Sequence, residues 1–268
     1  MSYSDTRFVG SIPAIYDSIL GPLLFESYAG DLAARVASGR PSRVLEIAAG
    51  TGIVTRALSR ALPESTIVAT DLNPAMLAVA SEKLTSPRVT FQQADAQALA
   101  FGNAEFDAVV SQFGVMFFPD KGAALKHARR VLRSGGRMLF SVWDRIEANP
   151  VSEILGEQIV AAFPDDPPGF LARGPFSWHD ADSIRQHVKA AGFANVTVET
   201  VKMATTVTSA DSIASGFCKG SPVLNEINAR APERIDEIIA ALSTAITKRF
   251  GTAPFANEMS ALVVTAAT

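Results

Sequence analysis

Three short apolar runs each end in a residue able to hold a ligand, and their spacing is that of a nucleoside-binding edge. The first, Val44-Leu45-Glu46-Ile47, runs into Ala48-Ala49-Gly50-Thr51-Gly52. Small residues there let the main chain pass close to a ligand, and a helix opening near Thr51 leaves N–H groups free to donate. The second run, Thr66 to Thr70, closes on Asp71, nineteen residues past Gly52. A carboxylate at that place can accept both hydroxyls of a ribose; it can equally cap the helix that Asn73-Pro74 opens. The third run, Val89 to Gln93, leads to Asp95. Any one of these is an ordinary turn, but three at one sheet edge point to a binding site. Two other groups are candidates for moving a proton: Asp144, just past a later apolar run, and His179 in Phe176-Ser177-Trp178-His179-Asp180. Capping competes for the first and helix initiation for the second.

The elements that must position these residues follow from hydrophobic patterning. Between residues 43 and 143 β-branched runs alternate with helical stretches: strands at 43–48, 66–70, 89–93, 106–112 and 137–143, helices at 51–62, 74–84 and 121–132. Strand alternating with helix at this spacing implies right-handed crossovers and a parallel sheet. Phe106 to Gln112 is apolar almost throughout, as a strand covered on both faces should be. Ser134-Gly135-Gly136 is expected to end the third helix. Helices are expected over 150–162 and 180–191, and strands over 196–201 and 260–265. The stretch between those two strands is mostly helical in pattern. In it Ile235, Ile238, Ile239, Leu242, Ile246 and Phe250 form one stripe, with Gly251 as the stop. Upstream of the stripe, Gly216, Gly220, Ser221 and Pro222 suggest a mobile lid.

Composition narrows the function. Hydrophobic residues make up 48% and charged residues 19% of the 268, a globular balance. The net charge of −3, with no dense run of Lys or Arg, argues against nucleic acid as the partner. A lone Cys218 closes no intramolecular disulfide and builds no zinc site, so no metal is expected. Met1 to Gly10 lacks a basic stretch followed by an apolar run, so no secretory signal is expected. The apolar segment 12–25 is broken by Pro13, Asp17 and Pro22, well short of a span of about 20 residues. A cytoplasmic protein without stable membrane insertion is expected.

Taken together, EIAAGTG (46–52), ATDLNPAML (69–77), QQADAQALAF (92–101), FDAVVSQFGVMFF (106–118) and ARRVLRSGGRMLFSVW (128–143) resemble the class I S-adenosylmethionine-dependent methyltransferases. The branch they resemble most includes the ubiquinone and menaquinone C-methyltransferases. The resemblance implies an α/β, doubly wound, seven-stranded sheet of order 3-2-1-4-5-7-6 with strand seven antiparallel and a helical cap. It implies S-adenosylmethionine as cofactor, with Glu46, Ala48, Gly50, Thr51 and Gly52 around its methionine part. Asp71 would hold the ribose, Leu72 and Met76 would lie against the adenine, Asp95 and Ala96 would meet the adenine edge, and Gln112 and Phe113 would close the site. Ala48 stands where the family usually has glycine.

The expected domains are a helical cover over 1–40, a core over 41–203 and 258–268, and a helical insert over 204–257 above the active site. Aromatic residues of these parts (Phe8, Tyr16, Phe25, Tyr28, Phe117, Trp143, Phe170, Trp178 and Phe217) form a pool from which an apolar pocket for the methyl acceptor would be drawn. The function implied is in-line methyl transfer to a small, partly apolar molecule. A sensor that keeps the cofactor site without turnover is the rival. A nicotinamide oxidoreductase is a weaker one, because Ile53, Val54 and Thr55 supply no third glycine after Gly50 and Gly52.

Overall fold

In the computed structural model, which describes Phe8 and residues 10–268, a seven-stranded sheet has the order 3-2-1-4-5-7-6. Its strands are β1 (Arg43–Ile47), β2 (Thr66–Asp71), β3 (Val89–Gln93), β4 (Phe106–Gln112), β5 (Leu132–Trp143), β6 (Ala194–Val207) and β7 (Phe255–Ala267). The first five pair in parallel, and β7 lies antiparallel to both β5 and β6. Strand order reverses between β1 and β4, so a crevice opens at their carboxyl ends, where ligands of open α/β sheets bind.

The helices between strands are α3 (Ile53–Ala61), α4 (Pro74–Lys83), α5 (Lys121–Val131), α6 (Pro150–Ala162), α7 (Phe170–Arg173) and α8 (Ala181–Ala190); all but the short α7 follow the expected pattern. Local chemistry sets their ends. Asn73 caps α4, its side-chain oxygen accepting from Ala75 N at 2.9 Å, and Pro74 occupies the first turn, where no N–H is needed. Asp120 and Asp180 cap α5 and α8 in the same way. The capping role open to Asp71 in the sequence therefore belongs to Asn73.

Three boundaries differ from the sequence reading. Strand β5 begins at Leu132, because the Ser134-Gly135-Gly136 turn is carried inside it as an irregularity: Phe106 pairs with Leu132, but Ala108 pairs with Arg137. Strands β6 and β7 run in register from Val207↔Phe255 to Thr197↔Thr265, so residues 204–207 and 255–257 are paired strand and not insert. Polar Thr205, Thr206, Asn257 and Glu258 disguise that extension, since β6 is an edge strand with mostly accessible side chains. The helical part of the insert lies within 208–254, with α9 (Ala210–Lys219), α10 (Val223–Arg230) and α11 (Ile235–Phe250).

The described amino-terminal segment contains α1 (Ile12–Ile15), a π-helical segment Tyr16–Phe25 and α2 (Glu26–Ala37). A π-helix of ten residues is rare, and such geometry concentrates at functional sites. Helix α2 packs on α3, while the π-helical segment packs on α9. That second contact explains the glycines read as a mobile lid. A Cβ on Gly216 would fall 2.6 Å from Ile19 Cγ2, and one on Gly220 would fall 2.6 Å from Gly216 O. Glycine here permits close helix packing, and Gly216, Gly220, Ser221 and Pro222 are all buried. Among the described residues no helix is long and apolar enough to cross a membrane.

Candidate functional site

A cavity of about 400 Å³ occupies the crevice, within the range of about 300–1,000 Å³ usual for small-molecule sites. One end is made by the turns after β1, β2 and β3. There Ala48, Gly50, Asp71, Leu72, Met76, Asp95 and Ala96 line it; Gln112 and Phe113 follow at the end of β4. Glu46, Thr51 and Gly52 do not line it, and Glu46 and Thr51 are each 1% exposed. The proton-transfer candidates are elsewhere. Asp144 Oδ2 accepts from Ser260 Oγ at 2.8 Å, which ties the end of β5 to β7, and its Oδ1 accepts from Arg145 N. His179 lines a separate, smaller cavity.

The first turn has a backbone suited to close approach. Ala48, Gly50 and Gly52 have φ of 55°, 57° and 77°, and Phe113 after β4 has 52°. For Ala48 and Phe113 this left-handed conformation costs about 1–2 kcal/mol each, and such strain collects at ligand sites. The Ala48 methyl is accommodated by Gly114, where an added Cβ would lie 2.5 Å from it. A methyl at one position is matched by its absence at the other.

Asp71 fixes the loop. Its Oδ2 accepts from Gly50 N and its Oδ1 from Asn73 N, both at 2.8 Å. Each carboxylate oxygen has two lone pairs, so capacity remains for donors in the cavity. Burial pushes the Asp71 carboxyl above its ordinary range, against the lowering effect of the Asn73 and Gly50 N–H groups. Asp95 Oδ1 accepts from Gln97 N at 2.8 Å. Gln112 Nε2 donates to Phe25 O at 3.1 Å, while its Oε1 is buried without a partner among the described residues. A nucleoside with hydroxyl and amine donors fits this acceptor-rich end.

The amino-terminal segment is pinned to the same loop. Asp17 of the π-helical segment takes Lys83 Nζ and, at 3.4 Å, Arg56 Nη2, while Arg56 Nη1 donates to Thr51 O at 2.8 Å. The Asp17 carboxyl is held below its ordinary value: burial opposes this, but the Lys83 hydrogen bond and the Arg56 charge help to outweigh it. Beside it Tyr16 stacks on Phe25 at 4.8 Å, and burial together with the Asp71 and Asp17 charges raises its hydroxyl pKa.

Glu46 gives a pH signature. Thr55 Oγ1 donates to its Oε2 at 2.6 Å, yet burial lifts the carboxyl from 4.5 to about 8. Between those values the folded chain keeps a proton that the unfolded chain has lost. Stability from this group is therefore highest below the lower value and declines as pH rises through the window, by up to about 1.4 kcal/mol per pH unit. Glu46→Gln should gain on the parent steadily between about pH 5 and 8 in denaturant midpoint. A gap that stays constant over that range would show Glu46 ionised in the fold.

The other end of the cavity is apolar, walled by Phe117, Phe170, Phe176, Phe217 and Pro222, with Phe113 and Trp143 also on the lining. Of the aromatic pool, Tyr28 and Trp178 stay out: the Tyr28 hydroxyl donates to Val201 O, and Trp178 stacks parallel to Phe140 at 6.0 Å. Leu20, Leu24, Met116, Phe118 and Phe176 also line the cavity, although none of them is among the site residues expected from the sequence. The i, i+4 spacing of Tyr16, Leu20 and Leu24 was the available signal.

Residues 44–136 match the family model of a methyltransferase domain. The ubiquinone/menaquinone biosynthesis C-methyltransferase UbiE of Serratia proteamaculans is 33% identical over 176 residues, covering 59% of this chain and 68% of the relative. Its counterpart from Pseudomonas aeruginosa is 32% identical over 170 residues, 58% of this chain and 66% of the relative. The chain thus spans about two thirds of the length of these curated relatives. The crystal structure of YcgJ from Bacillus subtilis shares the fold, with a TM-score of 0.58 at 21% identity over 90% of this chain and 98% of that one. With the strand order, the Gly50–Asp71 loop and these relatives in agreement, the chain belongs to the class I S-adenosylmethionine-dependent methyltransferases, whose cofactor is S-adenosylmethionine.

Proposed function

We propose that this chain transfers a methyl group to a small, partly apolar, ring-containing molecule held at the aromatic end of the cavity. The supporting observation is continuity: one cavity is lined by Asp71 and Gly50, by Phe113 and Trp143, and by Phe170 and Phe217. The cofactor supplies an electrophilic methyl on a sulfonium centre. Asp71, Asp95 and the Gly50 turn would orient it, and the aromatic lining would exclude water and hold the attacking atom in line. Among the lining residues the ionisable side chains are Tyr16, Asp71 and Asp95, and the Asp71 charge reaches Tyr16. The apolar end presents no general base, so the reading favours an acceptor that brings its own electron-rich atom, such as a hydroquinone ring. The relatives' role in quinone biosynthesis agrees with that class. The amino-terminal segment 1–40 and the helical insert within 208–254 serve as the cover that selects the acceptor, in a cytoplasmic enzyme. Residues 1–7 and 9 of that segment fall outside the described residues.

Incubation with methyl-labelled cofactor and a panel of hydroquinones, catechols, amines and nucleosides tests this, with label expected in the hydroquinone products. Label confined to nucleosides or amines would overturn the acceptor class, and none in any member would favour a sensor. In the active enzyme, Phe217→Leu on α9 should raise the acceptor KM about tenfold. Affinity for S-adenosylhomocysteine should stay within about twofold by calorimetry, because the cofactor end is built from other elements. A matching loss of cofactor affinity would place α9 in the cofactor site.

A further inference from the structure

The inner cavity is walled mainly by buried side chains where the methyl acceptor must sit. Of the described residues lining it only Leu72 and Pro119 are exposed, while Phe117, Phe118, Ser152, Leu171 and Pro175 among others are partly so. Leu72 follows Asp71, and Pro119 precedes Asp120, whose N–H donates to Gln97 Oε1 at 2.8 Å beside Asp95. Both lie at the cofactor end, which a bound cofactor would cover, whereas the partly exposed Ser152, Leu171 and Pro175 lie on α6, on α7 and in the turn after it. At the far end Phe170, Phe176, Phe217, Ser221 and Pro222 are buried.

A second cavity of about 300 Å³ adjoins that end and shares Phe170, Leu171 and Phe176 with the first. Helix α7 and the turn after it are thus the wall between the two. This outer cavity is open. Glu147, Val160, Ala172 and His179 on its lining are exposed, and Val160 at 50% is one of two large apolar side chains so exposed among the described residues. The rest of its lining is mainly apolar. His179 adds one polar group: its Nδ1 lies 2.9 Å from Phe176 O and so carries the proton, which makes Nε2 of the neutral ring a hydrogen-bond acceptor.

The wall is a short unit tied to α10 and stacked through Phe170 on Phe117. Four residues long, α7 lies between Gly169 and Gly174 and follows a stretch containing Pro164, Pro167 and Pro168. A buried carboxylate holds it: Glu226 of α10 accepts from Phe170 N at 3.0 Å, Gly169 N at 3.3 Å and Arg173 Nη2 at 2.7 Å.

We propose that the outer cavity is a binding site for the methyl acceptor, an apolar vestibule that a small hydroxylated ring compound occupies before α7 leaves Glu226 and admits it to the inner cavity. This rests on the reading of the inner cavity as the place of methyl transfer. It assigns His179 a use that catalysis does not: its Nε2 receives a hydroxyl of the waiting molecule. It also makes Glu226 the residue that sets how often the passage opens.

The test reads passage through the wall without needing the natural substrate. The chain has two tryptophans, so in a Trp178→Phe background Trp143 of the inner cavity is the one that remains. With S-adenosylhomocysteine saturating the cofactor end, the partly exposed wall at α7 is the route by which a small neutral quencher such as acrylamide is expected to reach Trp143. Glu226→Gln, which removes the charge from three hydrogen bonds, should raise the quenching constant about threefold or more. Gly156→Leu should lower it by a similar factor. Gly156 lines the outer cavity only, and a Cβ there would meet Leu171 Cδ1 at 3.6 Å and Ile146 Cδ1 at 3.7 Å, so a longer side chain fills the vestibule. The same Gly156→Leu change should raise KM for a methylated hydroquinone and leave S-adenosylhomocysteine affinity unchanged. Quenching that stays at the parental value in both variants would overturn the passage. If quenching responds as stated but no hydroquinone is methylated, the passage stands and the acceptor class falls.

Discussion

Asp71→Ala is expected to weaken S-adenosylhomocysteine binding by at least about a hundredfold. Two charge-assisted hydrogen bonds to a ribose contribute roughly 1.5–3 kcal/mol each before water compensates, and each 1.4 kcal/mol is a factor of about ten. The geometry adds a second loss. Asp71 also accepts from Gly50 N and Asn73 N, so its removal leaves the left-handed Gly50 turn without its anchor. Asp71→Asn separates the two effects. One amide oxygen can still accept a main-chain N–H, but the amide nitrogen repels the other, so this variant should fall between the parent and Asp71→Ala. Because burial lifts the Asp71 carboxyl above its ordinary range, affinity should also decline toward acidic pH as that group takes a proton. Calorimetry that finds Asp71→Ala within a few-fold of the parent would remove Asp71 from the site.

The sequence made this end of the site legible because each ligand-facing turn sits where an apolar run stops. Ala48, Gly50, Asp71 and Asp95 are local to strands whose patterns are unambiguous, and the parallel sheet brings those strand ends together. The acceptor end had no such signal. Leu20, Phe117, Phe170 and Phe217 come from separate stretches of the chain and share no spacing. Each reads as ordinary core until the helices are placed. The π-helical turn of Tyr16–Phe25 is only half legible: Gly21-Pro22 marks an interruption of the α-helical pattern but not the π geometry that accommodates it. Gly216 and Gly220 show the opposite failure. Glycine signals freedom or close approach, and only the position of Ile19 on the neighbouring segment decides for the second.

Trp143→Ala should be the most destabilising single change at the site, by about 3–5 kcal/mol, as for other large aromatics cut from a core. Trp143 is 6% exposed and stacks on Phe113 with ring centres 3.9 Å apart and planes at 7°. It also meets Tyr28 edge-on at 5.6 Å and Phe25 at 6.1 Å. For a chain of this size each kcal/mol shifts Tm by about 2–4 °C, so a fall of about 10 °C is expected by calorimetry. The stack has a further task. Phe113 is held at a φ of 52°, a strained value that its ring contacts with Trp143, Tyr28 and Phe25 sustain. Without the indole, Phe113 can relax out of the left-handed region, and the loop that closes the cofactor end loses its shape. Cofactor affinity should therefore fall along with stability. Trp143→Phe keeps a stacking partner and should recover most of both. Equal losses in the alanine and phenylalanine variants would mean that the size of the indole alone matters at 143, and that the Phe113 backbone does not depend on the stack.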